Sequence, residues 1–572
     1  MEKSNLRIDI LGTSVTISAE EKPEYLDTLL SKYREVVKNV QRISSLQDPL
    51  KIAILSGFLL CDELRKAESA AAEKKASGEL DEIIPGMILS LQEILPAEDG
   101  DETPRNAPKN DCQSSQQLND TPNESVPSPC APQTEASASV KKIPAVFFKL
   151  QNTVKNYEWG SSRWIPELMR QRNLSQIPWA ELWMGVHPAA PSRVILPDGN
   201  GGNGEKTLSL PDLIGYDVEM FLGQETAAGC GKLPFLFKLI AAEKPLSIQA
   251  HPNKDQARRG FEKENQAGIP INAPNRSYRD SNHKPEILCA LSPFALLAGF
   301  RNIKEMSLLI RMLVVISSSS GEIALKNQLD NLTSALEEDS TGTGKAFFTA
   351  LLRLAPEHCS ALGQLIKNNR AMLEQAFPEH KAAWTLCVHF FNLYPKDPGI
   401  IAPLYLNIVE LDPGQAIYLP AGILHTYIHG LAVELMADSD NVLRGGLTSK
   451  HVDRKELLEI LDFSTFKPEI LTVPTPAPQF YRYPAAVGEF SLVAMHSSGA
   501  DVPFNEKGPS IVIITNGNAT VSTAETTNQN TNAKMTLNTG ESVFIPAGED
   551  RTIVFSGTFT AYVAVCNTAT VL

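Results

Sequence analysis

Two segments of the 572-residue chain carry the same nine-residue pattern, and this internal repeat constrains the fold more than any other feature. The segments are "GQAIYLPAG" at residues 414–422 and "GESVFIPAG" at residues 540–548. In both, a glycine and a polar residue precede aliphatic and aromatic residues typical of a β-strand, and Pro-Ala-Gly marks the turn that follows. The chain therefore contains two copies of one β-unit.

Short strands joined by such turns suit the double-sheet jelly roll of the cupin type, whose inward-facing side chains can hold a metal ion. The two copies differ three residues after the shared last glycine, where the first has His425 and the second has Arg551. A histidine can bind a metal ion, whereas a cation repels one. We therefore expect two cupin-type barrels, of which the first binds a metal and the second is structural.

Between residues 302 and 393 the apolar residues recur at steps of three and four, which predicts helices between strand-like segments. The large C-terminal part is thus predicted to be mainly β with helical parts. Residues 143–301 and 394–450 would form the metal-binding barrel, residues 302–393 an all-α insertion, and residues 451–572 the second barrel.

The first 96 residues show a different pattern. Apolar residues alternate along "NLRIDILGTSVTISA" (residues 5–19), which predicts a β-hairpin around Gly12-Thr13-Ser14. An apolar stripe after Pro23 predicts a helix, and Asp48-Pro49 precedes a second one. This small α/β module buries little surface alone, so we expect it to self-associate into a homo-oligomer.

Residues 97–142 are rich in Pro, Ser, Thr, Asn, Asp and Gln and nearly lack large apolar side chains. Such a segment cannot offset the entropy that ordering would remove, so we predict a disordered linker. The two halves of the chain should therefore be tethered rather than docked.

The net charge and the cysteine content indicate which partners and which cellular compartment to expect. A net charge of −14 argues against a nucleic-acid partner, whose phosphates would be repelled. The eight cysteines are scattered without a C-x-x-C pair, which is typical of free thiols in a reducing cytosol. Because no segment is apolar and long enough for a signal peptide or a membrane span, we expect a cytoplasmic protein without a membrane partner.

Polar groups embedded in strand-like sequence indicate one site. In "PLSIQAHP" (residues 245–252), Gln249 and His251 point to the same face of a strand, as two metal ligands would need to. Three later segments have similar character: "NHKPE" (282–286), "PAGILHTYIHG" (420–430) and "DNVLRGGLTSKHVD" (440–453). We expect all four segments to converge on one metal-dependent site.

From about residue 147 to residue 572 the chain resembles type I mannose-6-phosphate isomerases. The resemblance is carried, in order, by "YEWGS" (157–161), "AELWMGVHP" (180–188), "PLSIQAHP", "NHKPEIL" (282–288), "LAGFR" (297–301), "PAGILHTYIHG" and "DNVLRGGLTSKH". The departures are Asn253, Thr426, Gly445 and Ser449, where Asp, Ala, Ala and Pro are expected. None of these is a metal ligand or a titratable catalytic group.

The resemblance implies a zinc-dependent aldose-ketose isomerase that interconverts mannose 6-phosphate and fructose 6-phosphate. It implies that one Zn²⁺ per chain is bound by Gln249, His251, Glu286 and His425. Imidazole nitrogen and carboxylate oxygen suit zinc, and a catalytic site keeps one position open. A single His or Gln is more often a hydrogen-bonded core group, but four within matching motifs are better explained as ligands.

The reaction moves a proton between C1 and C2 through an enediol(ate), which requires a base and stabilisation of negative charge. The resemblance assigns the pocket residues, with Arg444, Lys284, Glu434 and Tyr427 as catalytic and Ser247 and Lys450 as phosphate-binding. Arg444 is expected to stabilise the enediolate or to hold the phosphate, and the base is expected to be Lys284 or Glu434. The alternative for Arg444, Glu434 and Lys450 is an ordinary surface ion pair.

The first segment resembles the ZapA family of cell-division proteins through "RIDILGTSVTIS" (7–18) and "DPLKIAILSGFLLCDELRKAE" (48–68). Gly78 and Pro85-Gly86 interrupt the pattern where that family continues its coiled coil. The resemblance implies self-assembly and binding to the tubulin-like ring protein FtsZ. An oligomerisation module of another origin is the alternative.

Two other functions remain open at this point. The large part could be another metal-dependent cupin enzyme, such as an oxygenase, although an iron oxygenase needs a facial triad and Gln249 would be a fourth ligand. It could also be a non-catalytic scaffold that senses sugar phosphates at the division ring. Measuring the bound metal, O2 dependence and isomerase activity separates these functions.

Overall fold

The computed structural model describes residues 4–10, 13–19, 28, 30–38, 56, 146–196, 206–319, 322–337, 343–523, 533–548 and 552–567. The linker predicted at residues 97–142, and nearly all of the second helix predicted after Asp48-Pro49, lie outside these ranges. Within the described ranges, no helix has the length and apolar character needed to cross a membrane.

The N-terminal strands β1 (Ser4–Ile10) and β2 (Thr13–Ala19) pair antiparallel, with Ile10 opposite Thr13. Strand β2 therefore begins inside the predicted turn Gly12-Thr13-Ser14, because Thr13 and Ser14 take part in the pairing. Residues 30–38 are helical, within the stretch where the apolar stripe after Pro23 predicts a helix.

The large part contains twenty-one further described strands. They are β3 (Phe148–Gln151), β4 (Thr153–Lys155), β5 (Glu181–Met184), β6 (Arg193–Leu196), β7 (Lys206–Ser209), β8 (Phe235–Ala242), β9 (Ile248–Ala250), β10 (Glu286–Ala290), β11 (Phe294–Phe300), β12 (Leu406–Leu411), β13 (Ala416–Leu419), β14 (His425–Ala437), β15 (Leu443–Gly446), β16 (Phe480–Arg482), β17 (Phe490–Ser498), β18 (Val502–Phe504), β19 (Ser510–Thr523), β20 (Lys534–Asn538), β21 (Ser542–Ile545), β22 (Ile553–Ser556) and β23 (Thr558–Cys566).

The α-helices of this part are α1 (Trp164–Leu168), α2 (Leu210–Tyr216), α3 (Val218–Leu222), α4 (Gln224–Gly229), α5 (Lys254–Gln266), α6 (Ile303–Ser319), α7 (Ile323–Glu337), α8 (Lys345–Leu351), α9 (Pro356–Ala376), α10 (Lys381–Leu393), α11 (Ala402–Tyr405) and α12 (Arg454–Ile460). Short 3-10 helices span Pro378–His380 and Pro398–Ile401.

Strand β14 organises a ten-stranded sheet. Its first half pairs with β11 and β9, and its second half pairs with β8 and β10. The two halves meet at Gly430, whose φ of +132° disfavours other residues. A Cβ there would lie 2.8 Å from the Pro293 carbonyl oxygen, so the strand approaches β11 more closely than a side chain allows. Groups at both ends of β14 are thereby fixed relative to four other strands.

An eleven-stranded sheet contains the strands after residue 480 together with β3, β6 and β7 from the beginning of the large part. Strand β3 pairs antiparallel with β21, with Phe148 opposite Phe544. The sheet therefore draws on both ends of the large part. The division into two barrels at residue 450 stays a prediction. Strands β3, β6 and β7 come before residue 450 in the chain and belong to this second sheet.

Helices α6 to α10 lie where the sequence predicts helices, at residues 302–393, and the short helix α11 follows them before β12. They pack on the first sheet through aromatic rings, since the Phe300 ring at the end of β11 lies 5.5 Å from Phe348 and 6.2 Å from Tyr405. Each sheet has its own buried apolar cluster, one around Leu296 and Ile417 and one around Val512 and Val563. The structure is thus built mainly of antiparallel sheets, with helices joined to the first of them.

Candidate metal centre and active site

Three buried side chains from distant parts of the chain meet beside the first half of β14. His425 begins β14, Glu286 begins β10, and His251 follows β9 directly. One ligand atom from each of the three lies within 4.8 Å of the others. The Nε2 atoms of His251 and His425 lie 3.4 Å and 3.2 Å from the Glu286 carboxylate oxygens. These three residues, which the sequence predicts to converge, lie together.

Backbone carbonyls fix the orientation of both imidazole rings. The Nδ1 of His251 lies 2.7 Å from the Asn441 carbonyl oxygen, and the Nδ1 of His425 lies 2.9 Å from the Ile423 carbonyl oxygen. Because a carbonyl oxygen only accepts, each Nδ1 carries the proton and each Nε2 keeps its lone pair. Both Nε2 atoms are buried and have no hydrogen-bond partner among the described residues. Two lone pairs facing one carboxylate form a donor set that a divalent cation satisfies.

The protonation states of the cluster also suit a metal. Burial, assisted by the nearby Lys284 ammonium, lowers the pKa of His251 to about 4, so the ring is neutral near pH 7. Burial alone would raise the pKa of Glu286, but the Lys284 ammonium, 3.3 Å from its Oε1, helps to hold it well below its usual range. Neutral imidazole and ionised carboxylate are the forms that bind metal ions.

Gln249, the fourth proposed ligand, lies on β9 opposite both His425 of β14 and Arg444 of β15. It lines a cavity of about 880 Å³, as do Ser247, Lys284, Glu286, Tyr427, Glu434, Arg444 and Lys450. Eight of the ten predicted site residues therefore line one cavity, and His251 and His425 lie buried against Glu286 at its wall. The register between β9, β14 and β15 brings these segments together.

A buried hydrogen-bond network extends from the cluster along β14. The Tyr427 hydroxyl lies 2.8 Å from Glu434 Oε1, to which it donates, and 3.3 Å from Glu286 Oε2. Lys238 of β8 donates to Glu434 Oε2 at 3.1 Å and lies 3.9 Å from Glu181 Oε1. Glu434 is therefore a buried residue in a network and does not form the surface ion pair considered as its alternative.

The sequence analysis did not identify Lys238 and Glu181. Burial would lower the pKa of Lys238, but Glu181 and Glu434 outweigh it and raise the pKa above its ordinary value. Glu181 also accepts from Trp183 Nε1 at 2.6 Å. The sequence feature that could have identified Lys238 is its position as the one charged residue in the apolar strand "FLFKLIAA" of β8. All eight residues of this strand are buried.

A second pair that the sequence analysis missed lies at the cavity wall. The Ala189 N–H donates to His187 Nδ1 at 3.2 Å, so the proton of this ring is on Nε2, which lies 3.2 Å from Asp440 Oδ2. The hydrogen bond from His187 lowers the pKa of Asp440. His187 and Asp440 both line the cavity.

The other side of the cavity is positively charged. Arg279, Arg444 and Lys450 line it, and none of them has an ion pair with a carboxylate among the described residues. Burial and the proximity of Arg444 and Arg279 lower the pKa of Lys450. Burial and Arg279 likewise lower the pKa of Arg444. Cations that lower one another's pKa without a neutralising carboxylate are suited to bind a dianion such as a phosphate ester.

Comparisons with known proteins agree with this geometry. Residues 147–303 match the family model described as phosphomannose isomerase type I, catalytic domain, and residues 6–94 match that of cell division protein ZapA. Mannose-6-phosphate isomerase of Escherichia coli (strain K12) is 36% identical over 403 residues, covering 70% of this chain and 95% of that protein. Mannose-6-phosphate isomerase 2 of Arabidopsis thaliana is 33% identical over 416 residues, covering 70% and 88%.

A solved structure of mannose 6-phosphate isomerase in a zinc-bound holo form is similar, with a TM-score of 0.64 and 34% sequence identity. The likeness covers 74% of this chain and 100% of that chain. The similarity to these relatives thus extends over nearly their whole length.

Proposed function

The chain belongs to the mannose-6-phosphate isomerase family, and on this premise we propose that it interconverts mannose 6-phosphate and fructose 6-phosphate. The observation that carries the proposal is the pair of buried Nε2 lone pairs, on His251 and His425, which face the Glu286 carboxylate inside a cavity with a cationic side. We assign one Zn²⁺ per chain to these three residues and Gln249. Bound there, zinc supplies a Lewis acid that polarises the sugar oxygens.

The cationic side would bind the phosphate. We assign this role to Lys450 and Ser247, together with Arg279, and place Arg444 between the phosphate and the reacting carbons. Positive charge fixed there also stabilises the negative charge that the enediol(ate) develops. This arrangement would hold the open-chain sugar with C1 and C2 toward Glu286 and C6 toward Lys450.

The proton transfer between C1 and C2 needs one base in the cavity. Both oxygens of Glu434 are already engaged by Tyr427 and Lys238, so Glu434 would have to leave its network to accept a proton. Lys284 has a single described partner, Glu286, at 3.3 Å. We therefore assign the transfer to Lys284, acting as the neutral amine that accepts the proton and returns it, and a supporting role to Tyr427 and Glu434, which hold each other in place.

We also propose how the large part is divided into domains. Residues 143–301 and 394–450 would form the catalytic cupin barrel, residues 302–393 the helical insertion and residues 451–572 the structural barrel. The separate apolar clusters of the two sheets support two interiors. The participation of β3, β6 and β7 in the second sheet means that the two barrels would share chain segments.

An isomerase assay with and without a zinc chelator tests the catalytic proposal. The full chain should interconvert the two hexose phosphates, lose activity to the chelator and regain it when Zn²⁺ is added back. Zinc-loaded protein that binds a hexose phosphate without converting it would instead support the sugar-phosphate-sensing scaffold. Activity that depends on O2 and iron would support another cupin enzyme.

For the N-terminal segment, the match of residues 6–94 to the ZapA family favours a second function. We propose that this segment self-associates and binds an FtsZ-type division protein, so that a cytoplasmic isomerase becomes part of an oligomer. Co-sedimentation with FtsZ polymers tests this proposal, with residues 143–572 as the control. Equal sedimentation of both forms would contradict it.

A further inference from the structure

The segment Arg444–Lys450, called the cation loop below, carries two of the positive charges of the cavity at its ends. Its backbone is irregular, since Gly446 has a φ of +150° and Leu447 has a φ of +51°. Leu447 is buried and has a side chain, so its left-handed conformation is strained. Strain of this kind persists only where surrounding groups hold it.

The segment between α10 and the 3-10 helix Pro398–Ile401 supplies such a group in Asp397. Its Oδ1 accepts from the Gly399 N–H at 2.7 Å, which caps the short 3-10 helix Pro398–Ile401. Its Oδ2 accepts from the Thr448 N–H at 3.2 Å. Thr448 Oγ1 in turn accepts from the Lys450 N–H at 3.1 Å. One carboxylate is thus linked through Thr448 to the backbone of Lys450.

Close backbone packing adds to these hydrogen bonds. A Cβ on Gly446 would lie 2.9 Å from Asp397 Oδ1 and 3.2 Å from the Gly399 Cα. A Cβ on Gly399 would lie 2.9 Å from Ile248 Cδ1 and 3.0 Å from the Leu447 nitrogen. The cation loop therefore packs closely against the backbone at Gly399, and both glycines leave no room for a Cβ.

We propose that Asp397 is a positioning residue that holds the cation loop so that Arg444 and Lys450 face the phosphate of the substrate. Its carboxylate lies behind the loop, in a groove lined by Gly446, Thr448 and Arg454, and acts through Thr448. This placement keeps a negative charge away from the phosphate. The segment between α10 and α11, which carries Asp397, thereby contributes to substrate binding without touching the phosphate itself. The proposal rests on the proposed function for the identity of the ligand.

Asp397→Asn separates this role from simple capping. Asparagine caps helices as well as aspartate does, so Gly399 keeps its acceptor. An amide has only one acceptor oxygen, so the bond to Thr448 is lost. Loss of such a hydrogen bond should raise the KM for mannose 6-phosphate and the Kd for inorganic phosphate by roughly three- to ten-fold. The kcat, the zinc content and the Tm should stay close to wild type.

Two further variants test the route through Thr448. Thr448→Val removes the acceptor for the Lys450 N–H and should weaken phosphate binding in the same direction. In the double variant with Asp397→Asn, Thr448→Val should raise KM and Kd by less than it does alone, because the two hydrogen bonds act in series. The control is Asp462→Asn, since the Asp462 carboxylate accepts from the Ser464 N–H at 2.9 Å, away from the cavity. This control should leave KM and Kd unchanged.

The proposal is overturned if Asp397→Asn leaves KM and phosphate affinity unchanged, and also if the variant loses zinc or lowers kcat as strongly as it raises KM. Asp397→Ala, which removes the cap as well, should lower the Tm and raise KM; a lower Tm with an unchanged KM also overturns it. Calorimetric binding of phosphate needs no turnover. A wild-type chain that binds phosphate but does not isomerise sugars would therefore refute the isomerase while leaving the role of Asp397 testable.

Discussion

At the scale of single residues, the groups that hold the proposed metal ligands in place matter as much as the ligands themselves. His251 donates to the Asn441 backbone carbonyl, and the Asn441 side chain is held by Asp280 through Nδ2 bonds of 2.9 Å and 3.1 Å. Asn441 Oδ1 accepts from the backbone N–H of Arg279 at 2.7 Å. One buried asparagine therefore connects a proposed zinc ligand with a proposed phosphate contact.

Replacing Asn441 by alanine should free this backbone and let the His251 ring turn away from Glu286. We expect the zinc affinity to fall by roughly 10- to 100-fold, as is usual when a group that orients a ligand is lost. Competition with a fluorescent zinc chelator measures this affinity. Asn407→Ala is the control, because the Asn407 Nδ2 lies within 3.3 Å of the carbonyl oxygens of residues 298, 299, 300 and 466, none of which lines the cavity. Equal loss of zinc affinity in both variants would contradict the role of Asn441.

The buried ion pairs of Lys238 should contribute to the free energy of unfolding. Its ammonium lies between the carboxylates of Glu434 and Glu181, and all three side chains are buried. Lys238→Met leaves two buried carboxylates without a counter-charge, so the free energy of unfolding should fall by about 3–5 kcal/mol. Denaturation in urea measures this change. Lys149→Met, which breaks a half-exposed pair with Glu541, should lower it by at most about 1 kcal/mol.

If the two lysine variants were destabilised equally, the buried network would not be the source of the effect. The comparison is matched in chemistry, because both substitutions remove one ammonium from an ion pair with a glutamate. The partners differ in burial and in number, since Lys238 lies between two glutamates and Lys149 pairs with Glu541. The result therefore tests whether the network around Glu434 helps to stabilise the fold as well as to shape the cavity.

At the scale of elements, β14 depends on a glycine. In Gly430→Ala, the new Cβ would lie 2.5 Å from Phe294 Cδ2, and the φ of +132° would be strained. Gly414 also has a positive φ, +88°, but a Cβ there has open space. Gly414→Ala should therefore lower the free energy of unfolding by about 1–2 kcal/mol, from the backbone alone. Gly430→Ala should lower it further, and a smaller effect than in Gly414→Ala would contradict the close approach of β14 and β11.

A half-buried hydrogen bond joins the segment that carries Lys284 to the second sheet. His283 Nε2 lies 2.6 Å from Oε1 of Glu489, the residue before β17. Burial would raise the pKa of Glu489, but the bond to His283 outweighs it and lowers the pKa below 4.5. The ionised carboxylate therefore stabilises the fold above pH 4.5, and this contribution is lost as the pH falls through the lowered pKa.

Glu489→Gln makes this contribution measurable. Wild type should have the higher free energy of unfolding near neutral pH, because the charged acceptor is stronger than the amide. The difference should shrink as the pH falls below about 4.5, where the unfolded carboxyl begins to bind protons. Denaturant titrations of both proteins across this range give the difference directly. A difference independent of pH would show that the ionised form of Glu489 is not the stabilising one.

At the scale of the whole molecule, the isomerase part should work without the N-terminal segment. The relatives cover about 70% of this chain over nearly the whole of their own length, and residues 6–94 match a different family. We expect residues 143–572 to retain a kcat and KM within about two-fold of the full chain, because a tether transmits little strain. Steady-state assays on both forms measure this, and sedimentation should show the larger assembly only for the full chain. An inactive truncated form that regained activity with the N-terminal segment would refute the modular arrangement.

The sequence by itself determined the residues that meet at the metal centre. Each lies in a short motif whose residue types set local structure, as when Pro252 ends β9 and Asn253 caps α5 through a capping box with Gln256. The repeated Pro-Ala-Gly pattern and the change of period at residue 302 likewise predicted mainly β structure with a helical region. Local sequence was sufficient for these features because strand alternation, turns and caps depend on neighbours in the chain.

Only the tertiary structure decided what surrounds these residues. Lys238 lies opposite Glu434 because β8 pairs with β14 in one register, and a shift by one residue would turn the ammonium to the other face. The pairing of His187 with Asp440, the support of Thr448 by Asp397 and the entry of β3 into the second sheet join residues far apart in the chain. Such contacts follow from strand register and packing of whole elements, which no local pattern encodes.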